Sequence, residues 1–279
     1  LSRLETFPDD MPPVMRLFGA DVQKNRIEFT VIDFEESTES WAQEHIIIEG
    51  DPSEEDDPIW SELEEELKAR HVDFGLIDSS YLAKQVYTFC EGKKWIRPCQ
   101  GKEGWSRPFI EDEKTRRKKL RSRSRYGVKP EILGVDTAKL VVHKRLEKSN
   151  TTTFDIDEKT GEVIGVIREP NPGFIHFRND PCFDTEYFAQ LTAEALVPKK
   201  RKGREYFEWF ATRARNETQD CMGYAAAAYE IAKNMKNIQY TQKPPINELG
   251  EADREDKQKL LKQTDQTPPT KTRRRRRTR

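Results

Sequence analysis

The sequence has few of the features that mark several large protein classes. Only four of its 279 residues are cysteines, and no two of them form a C-x-x-C pair. This spacing predicts neither a zinc site nor a disulfide framework, and it favours a cytosolic setting. No apolar run approaches the roughly 18 residues of a membrane span, and the polar N-terminus has no signal peptide, so we predict no membrane association.

Sequence motifs of nucleotide and acyl chemistry are also missing. No G-x-x-x-x-G-K-[ST] loop occurs, so this chain by itself is not predicted to be a P-loop NTPase. No G-x-S-x-G motif indicates a serine hydrolase. The chain begins at Leu1 rather than at methionine, which we interpret as a piece cut from a longer protein.

Charge is plentiful and unevenly distributed. The chain has 49 Lys and Arg against 50 Asp and Glu, a net charge of −1. Residues 1–106 hold 11 basic and 24 acidic side chains, and the remainder holds 38 basic and 26 acidic ones. An acidic half followed by a basic half predicts a polyanionic partner that contacts only part of the surface.

Two segments carry most of the local basic charge. Residues 107–129 contain ten Lys and Arg against three acids, which predicts a surface loop or ribbon, and a second run spans 199–204. Alternatively, the basic residues of these two segments are solvated charges that bind no ligand. The predicted phosphate-contacting residues are Arg107, Lys114, Arg116, Arg117, Lys118, Lys119, Arg121, Arg123, Arg125, Lys199, Lys200, Arg201 and Lys202.

Hydrophobic periodicity predicts a mixed α/β fold in the first hundred residues. The predicted elements are strands 14–22, 26–34 and 40–49, helix 59–70, strand 72–78, helix 81–90 and strand 93–100. Three strands joined in succession, then strands linked by helices, favour a ribonuclease H-like sheet. A doubly wound sheet would alternate strands and helices from the start.

The second half of the chain is predicted to extend this domain to residue 243. Further predicted elements are strand 132–135, helix 136–146 with Asp136 as its N-cap, hairpin 151–170, helix 184–196 and helix 220–235. Four consecutive alanines in the last helix predict a thin face that packs closely on the sheet. Residues 244–279 are predicted to form a disordered basic tail.

Three acids stand at the ends of predicted elements. Asp21 lies in an apolar strand, Asp78 ends another strand, and Asp220 begins the last helix, with Glu217 one turn earlier. A buried carboxylate needs a partner. Carboxylates at one sheet edge favour Mg²⁺ or Mn²⁺, and a pair of such ions supports phosphodiester hydrolysis. The residues alone leave open purely structural roles as a turn-adjacent surface acid, a strand-end cap and an N-cap.

Five sequence blocks resemble those of a known family and occur in the family's order. The family is that of the lambda-type (GpA) large terminase subunits of tailed bacteriophages. The resemblance runs from about residue 14 to residue 232. The blocks are Gly19–Phe29, Gly134–Lys139, Pro172–Phe177, Glu186–Glu194 and Arg215–Ala225.

The resemblance implies a ribonuclease H-like nuclease domain that cuts concatemeric viral DNA during packaging, using two Mg²⁺ or Mn²⁺ ions. It assigns the catalytic and metal-binding acids to Asp21, Asp78 and Asp220, with Glu217 and Asp136 as further candidate ligands. It also implies an N-terminal ATPase domain that this chain lacks. Double-stranded DNA, the small terminase subunit and the portal protein would be its partners, in the host bacterial cytoplasm.

Two other functions fit the same residues. In the first, the chain is an enzymatically silent DNA-binding or portal-docking module, which predicts salt-sensitive DNA binding without cleavage. In the second, it is a junction-resolving nuclease on the same fold, which predicts preferential cleavage of four-way junctions.

Overall fold

The structure is a computed structural model. It describes residues 4–5, 12–112, 115, 128–149, 153–156, 159–160, 163–167, 171–201, 203–244 and 246. The chain divides into two compact units, Leu1–Lys243 and Pro244–Arg279. Only residues 244 and 246 of the second unit are described. The predicted disordered tail therefore lies almost wholly outside the described residues.

Twelve strands and five helices are named here within the described ranges. The strands are β1 (Leu4–Glu5), β2 (Met15–Val22), β3 (Arg26–Phe34), β4 (Ser40–Glu49), β5 (Phe74–Asp78), β6 (Ile96–Lys102), β7 (Glu131–Gly134), β8 (Thr153–Ile156), β9 (Val163–Ile167), β10 (Ile175–Arg178), β11 (Glu194–Arg201) and β12 (Arg204–Ala211). The helices are α1 (Ile59–Ala69), α2 (Ala83–Cys90), α3 (Val135–Leu146), α4 (Thr185–Leu191) and α5 (Glu217–Ala232). None of these helices is long and apolar enough to cross a bilayer.

The main sheet has eight strands in the order β1-β10-β4-β3-β2-β5-β6-β7. β3 pairs antiparallel with both β2 and β4. On the other side of β2, strands β5, β6 and β7 continue the sheet in parallel. The predicted order of three antiparallel strands followed by helix-linked strands is confirmed, and with it the ribonuclease H-like class. The β8–β9 and β11–β12 pairs form separate two-stranded sheets.

Helix α5 packs its alanine face on the centre of the sheet. Ala225, Ala227 and Ala228 are fully buried. The backbones approach most closely at Gly19 of β2, where a Cβ atom would lie 2.1 Å from the carbonyl oxygen of Cys221. Only glycine permits this contact, because any side chain would occupy the space of the helix backbone.

Three sequence predictions of local structure are wrong. Helix α4 ends at Leu191, not at residue 196. The chain then forms strand β11 from Glu194 onward, and this strand pairs with the aromatic strand β12. Helix α5 runs from Glu217 to Ala232 rather than from 220 to 235. Asp136 is not the N-cap of α3, because Gly134 occupies that position.

Candidate functional site

Asp21 and Asp78 emerge side by side at the carboxyl edge of the sheet. β2 and β5 are parallel neighbours in which Ala20 pairs with Ile77, so the next residue of each strand is an aspartate. Both are nearly inaccessible, with 5% and 6% of their surface exposed. Parallel strands deliver the residues at their carboxyl ends to one edge, which is where open α/β sheets bind ligands.

Each of these two carboxylates is oriented by a neighbour two residues along the chain. Asp21 accepts a hydrogen bond from the side-chain amide of Gln23. Asp78 accepts one at 2.8 Å from the hydroxyl of Ser80 and another at 3.2 Å from its backbone N–H. These local bonds limit the rotamers that the two aspartates adopt.

Helix α5 carries the third acid to the same region. Asp220 lies in the first turn of α5, directly before the segment Cys221–Ala225 that rests on Gly19. Asp220 is half-buried, and the amide of Asn216 lies 3.5 Å from its Oδ2 atom. The close contact at Gly19 thus places an acid of α5 near the end of β2.

The electrostatics of the three acids show that they share one environment. Burial raises the pKa of Asp21 well above its usual value, and the charges of Asp220 and Asp78 raise it further. Burial also raises the pKa of Asp220 to about 7, with Asp78 again contributing. Asp78 is shifted in the same direction, chiefly by burial. Carboxylates with such shifts are unfavourable when ionised and would be stabilised by a cation.

The donor chemistry of the three aspartates fits a hard divalent cation. Among the residues that the structure describes, no group of three or more His, Cys, Asp or Glu side chains is arranged to hold a metal ion. The three aspartates nevertheless offer only carboxylate oxygens, which Mg²⁺ and Mn²⁺ prefer.

The raised pKa of Asp220 predicts how stability without metal varies with pH. Its folded-state pKa is about 7 against an ordinary 3.8. The protonated form is therefore favoured by folding, and its contribution is complete below the ordinary value and lost as the pH rises through about 7. In EDTA, we expect the Tm of the wild type to fall over this window, and Asp220→Asn to melt about 2–4 °C higher at pH 8. Equal pH slopes for the two proteins, measured by thermal denaturation, would contradict this.

A closed set of ion pairs borders the site and was not predicted from the sequence. We call it the arginine–glutamate ring, and it consists of Arg26, Glu28, Arg215 and Glu217. Glu28 accepts hydrogen bonds from Arg26 and, at 2.6 Å, from Arg215. Glu217 accepts from the same two guanidinium groups at 2.6 and 3.3 Å. The ring joins β3 to the beginning of α5.

Glu28 is the fully buried member of this ring. It has no exposed surface and lies directly opposite Asp21 in the β2–β3 ladder. Burial alone would raise its pKa, but the neighbouring His45 and Arg26 outweigh burial and lower the pKa to about 2. Glu28 therefore remains ionised at every pH at which the protein would work.

A second polar group approaches Asp220 from α3. Lys139 donates to both oxygens of Glu194, each at 2.6 Å. Asn216 donates to Glu194 at 2.9 Å, and its amide also faces Asp220. The positive charge of Lys139 lowers the pKa of Asp220 and partly offsets the effect of burial. Lys139 was not among the sequence-predicted site residues, although it lies in the block Gly134–Lys139.

The two further candidate ligands have other partners. One oxygen of Asp136 accepts a 2.6 Å hydrogen bond from the backbone N–H of Gly104. Both oxygens of Glu217 are held in the arginine–glutamate ring. Glu217 still contributes to the raised pKa of Asp21, so it lies near the three aspartates.

The structure describes only some of the predicted phosphate-contacting residues. Arg107 binds the carbonyl oxygen of Glu103. Lys199 and Lys200 lie on β11 and pair with the exposed Glu208 and Glu205 of β12. Arg201 is described only as part of β11. The remaining predicted residues lie outside the described part of the chain: Lys114, Arg116, Arg117, Lys118, Lys119, Arg121, Arg123, Arg125 and Lys202.

The β11–β12 hairpin carries exposed aromatic side chains beside these lysines. Tyr206, Phe207 and Phe210 are each exposed by 41–55%. Its base is fixed by a 2.7 Å bond from the backbone N–H of Thr212 to the carbonyl oxygen of Ala193. The hairpin leads, after five further residues, into helix α5, which carries Asp220.

The sequence contained one indication that Glu28 lies beside Asp21. A tight turn after Val22 sets the register of the β2–β3 hairpin and places Glu28 opposite Asp21. Lys139, Glu194 and Asn216 gave no comparable signal, because their partners are 22 or more residues away along the chain.

Comparisons with known proteins show which family the chain resembles. The family model of the endonuclease domain of terminase large subunit gpA matches residues 1–239. The chain is 29% identical over 227 residues to the terminase large subunit of Enterobacteria phage P21. It is 28% identical over 229 residues to that of Escherichia phage lambda. Each alignment covers 77% of this chain and 32% of the relative, so the chain spans about a third of the relatives' length.

One similar solved structure is the g2p large terminase nuclease domain of bacteriophage SPP1 with bound Mn. Its TM-score is 0.24 at 10% sequence identity, and the match covers 61% of this chain and 90% of that one.

Proposed function

Because this chain belongs to the family of terminase large subunit endonuclease domains, we propose that it is a divalent-metal-dependent endodeoxyribonuclease that cuts concatemeric viral DNA during genome packaging. One observation carries the proposal: Asp21 and Asp78 lie at the carboxyl ends of adjacent parallel strands, and α5 brings Asp220 to the same edge. Their raised pKa values support a site in which a bound cation would stabilise the ionised carboxylates.

The proposed roles follow from where the acids lie. Asp21 and Asp78 would share one Mg²⁺ or Mn²⁺ ion, because their strands are neighbours. Asp220, with Glu217 as the alternative, would help to hold a second. When bound, such a pair of ions supplies an activated water and stabilises the leaving oxygen of a phosphodiester. Gln23 and Ser80 would keep the first two carboxylates oriented.

The β11–β12 hairpin is the proposed DNA-contacting surface among the described residues. Lys199 and Lys200 would contact backbone phosphates, and the exposed rings of Tyr206, Phe207 and Phe210 would pack against the nucleic acid. The support is its position, since the hairpin runs directly into the segment that carries Asp220. The basic residues of 107–129 are proposed as further phosphate contacts.

The two hairpin lysines give a prediction for DNA binding. In Lys199→Ala/Lys200→Ala, we expect weaker binding and a plot of log K against log salt that is less steep by up to about 2, since each phosphate contact contributes about 0.9. Lys233→Ala is the matched control, because Lys233 is also partly exposed and paired with a glutamate but lies at the other end of α5. Equal slopes for both variants, measured by fluorescence anisotropy, would contradict the assignment.

The direct test is cleavage of supercoiled plasmid by the 279-residue chain with Mn²⁺, Mg²⁺ or EDTA. The proposal expects nicked and linear products with a divalent ion and none in EDTA. A folded sample that binds DNA and cuts with neither ion would contradict it. That outcome would favour a silent DNA-binding or portal-docking module.

The partners proposed for this domain are those of the packaging machine. One proposed partner is a terminase ATPase domain in the full-length polypeptide. The small terminase subunit, the portal protein and double-stranded DNA are the other proposed partners. The proposed place of action is the cytoplasm of the infected bacterium.

A further inference from the structure

The arginine–glutamate ring connects the two elements that carry Asp21 and Asp220. Glu28 is the ladder partner of Asp21, so its position is fixed relative to that acid by the β2–β3 register. Glu217 is the first residue of α5, one turn before Asp220. Arg26 and Arg215 each bridge the two glutamates. Four charges of alternating sign thus tie the beginning of α5 to the sheet.

Asp220 lies between two points at which α5 is attached to the sheet. On its C-terminal side, the segment Cys221–Ala225 rests on Gly19. On its N-terminal side, the ring holds Glu217. Without the ring, the first turn would lose its attachment to β3, and helix ends fray readily. Repulsion between Asp220 and Asp21 would then push that turn away from the sheet.

We propose that Glu28 is a positioning residue that, through Arg26 and Arg215, holds the first turn of α5 so that Asp220 stays beside Asp21 at the proposed metal site. This inference rests on the proposed function. Glu28 itself contacts neither substrate nor metal in this assignment. Its contribution is the placement of an acid that the sequence separates from it by 192 residues.

The buried side chain of Glu28 is held in one position, as a positioning residue requires. Its side chain has no exposed surface, and His45 Nε2 lies 3.4 Å from the oxygen that the arginines leave unbound. The sulfhydryl of Cys221 in α5 also donates to the backbone carbonyl oxygen of Glu28 at 3.3 Å. Hydrogen bonds to charged groups in such surroundings are strong and directional.

The test compares Mn²⁺ binding by the wild type, Glu28→Gln and Asp33→Asn. Asp33 forms a buried ion pair with Arg16 on the same two strands, at their opposite ends, so Asp33→Asn controls for the loss of a buried charge pair. Mn²⁺ affinity is measured by electron paramagnetic resonance, and stability by thermal denaturation. We expect Glu28→Gln to weaken Mn²⁺ binding by about 10–100-fold and Asp33→Asn to lower Tm without changing the affinity.

Plasmid cleavage at rising Mn²⁺ separates a positioning role from a ligand role. Glu28→Gln should regain most of its cleavage rate at saturating Mn²⁺, because all three aspartates are still present. Asp21→Asn should not. Should Glu28→Gln fail to fold, Arg215→Gln removes one arm of the ring at a side chain that is 44% exposed, and we expect about a tenfold loss of affinity.

Each outcome decides the inference. Unchanged Mn²⁺ affinity in folded Glu28→Gln, or in Arg215→Gln, overturns the positioning role and leaves the proposed nuclease intact. A cleavage rate that stays low in Glu28→Gln at saturating Mn²⁺ overturns it as well, since Glu28 would then act directly. Failure of the wild type to bind Mn²⁺ or to cut overturns the proposed function and this inference together.

Discussion

Replacing Asp21 by Asn is expected to lower the rate of Mn²⁺-dependent plasmid cleavage by about 10²–10³-fold or more, the loss typical of removing one electrostatic group from an active site. Asp21 is nearly inaccessible, and both other aspartates add to the rise of its pKa. The substitution keeps the shape of the side chain and removes its charge. The loss would therefore report on cation binding rather than on packing.

The same variant should be at least as stable as the wild type in EDTA at neutral pH. Burial makes the ionised carboxylate of Asp21 unfavourable, so a neutral amide removes a destabilising charge. Asp73→Asn is the matched control. Asp73 precedes β5, at the end of that strand opposite Asp78, where it binds the backbone N–H of Arg16 at 2.8 Å and Lys243 at 2.6 Å. We expect it to lose stability but not activity.

An Asp21→Asn variant that cuts plasmid as fast as the wild type would contradict the assignment of Asp21 as a catalytic metal ligand. Rapid cleavage by Asp21→Asn with loss of activity in Asp78→Asn would instead place the essential acid on β5. Circular dichroism and melting curves, recorded on the same samples, establish that each variant is folded.

Gly19→Ala is expected to have the largest effect on stability, about 3 kcal/mol or more, with loss of cleavage. The added Cβ would lie 2.1 Å from the carbonyl oxygen of Cys221 and 2.5 Å from the backbone nitrogen of Ala225. Both are backbone atoms of α5 and cannot rotate away. The helix must therefore move off the sheet, and Asp220 moves with it.

Gly223→Ala tests whether this effect comes from the clash or from any added methyl group. Gly223 lies in the same helix, and a Cβ there would meet the Cβ of Ala138 at an ordinary 3.7 Å. We expect this variant to be more stable by about 0.5–1 kcal/mol, because alanine favours a helix interior. Urea denaturation measures both changes, and comparable stabilities of Gly19→Ala and wild type would contradict the close approach.

Local sequence patterns determined the core of the sheet. Apolar runs bounded by polar turns predicted β2, β3, β4 and β5 close to their observed limits, because strand formation and hairpin closure depend on neighbouring residues. The same patterns put Asp21 within a strand and Asp78 at the end of another. The α5 alanines predicted a close contact with the sheet, which is found at Gly19.

Local patterns failed where a distant partner decides the conformation. Residues 194–196 continue a plausible helical pattern after α4, yet they form β11 because β12 offers a complete ladder of hydrogen bonds. Asp136 resembles an N-cap, yet its carboxylate binds the backbone of Gly104, 32 residues earlier. In both cases a tertiary contact outweighs a modest local preference.

By itself, then, the sequence determined the elements and the acids that they carry, because period, polarity and strand ends are local properties. Only the tertiary structure decided which groups surround those acids. The ring that joins Glu28 to Glu217 and the contact of Lys139 with Glu194 connect residues 189 and 55 positions apart. Such pairs form only after the sheet and α5 have packed, since the free energy that holds them comes from shared burial rather than from neighbouring residues.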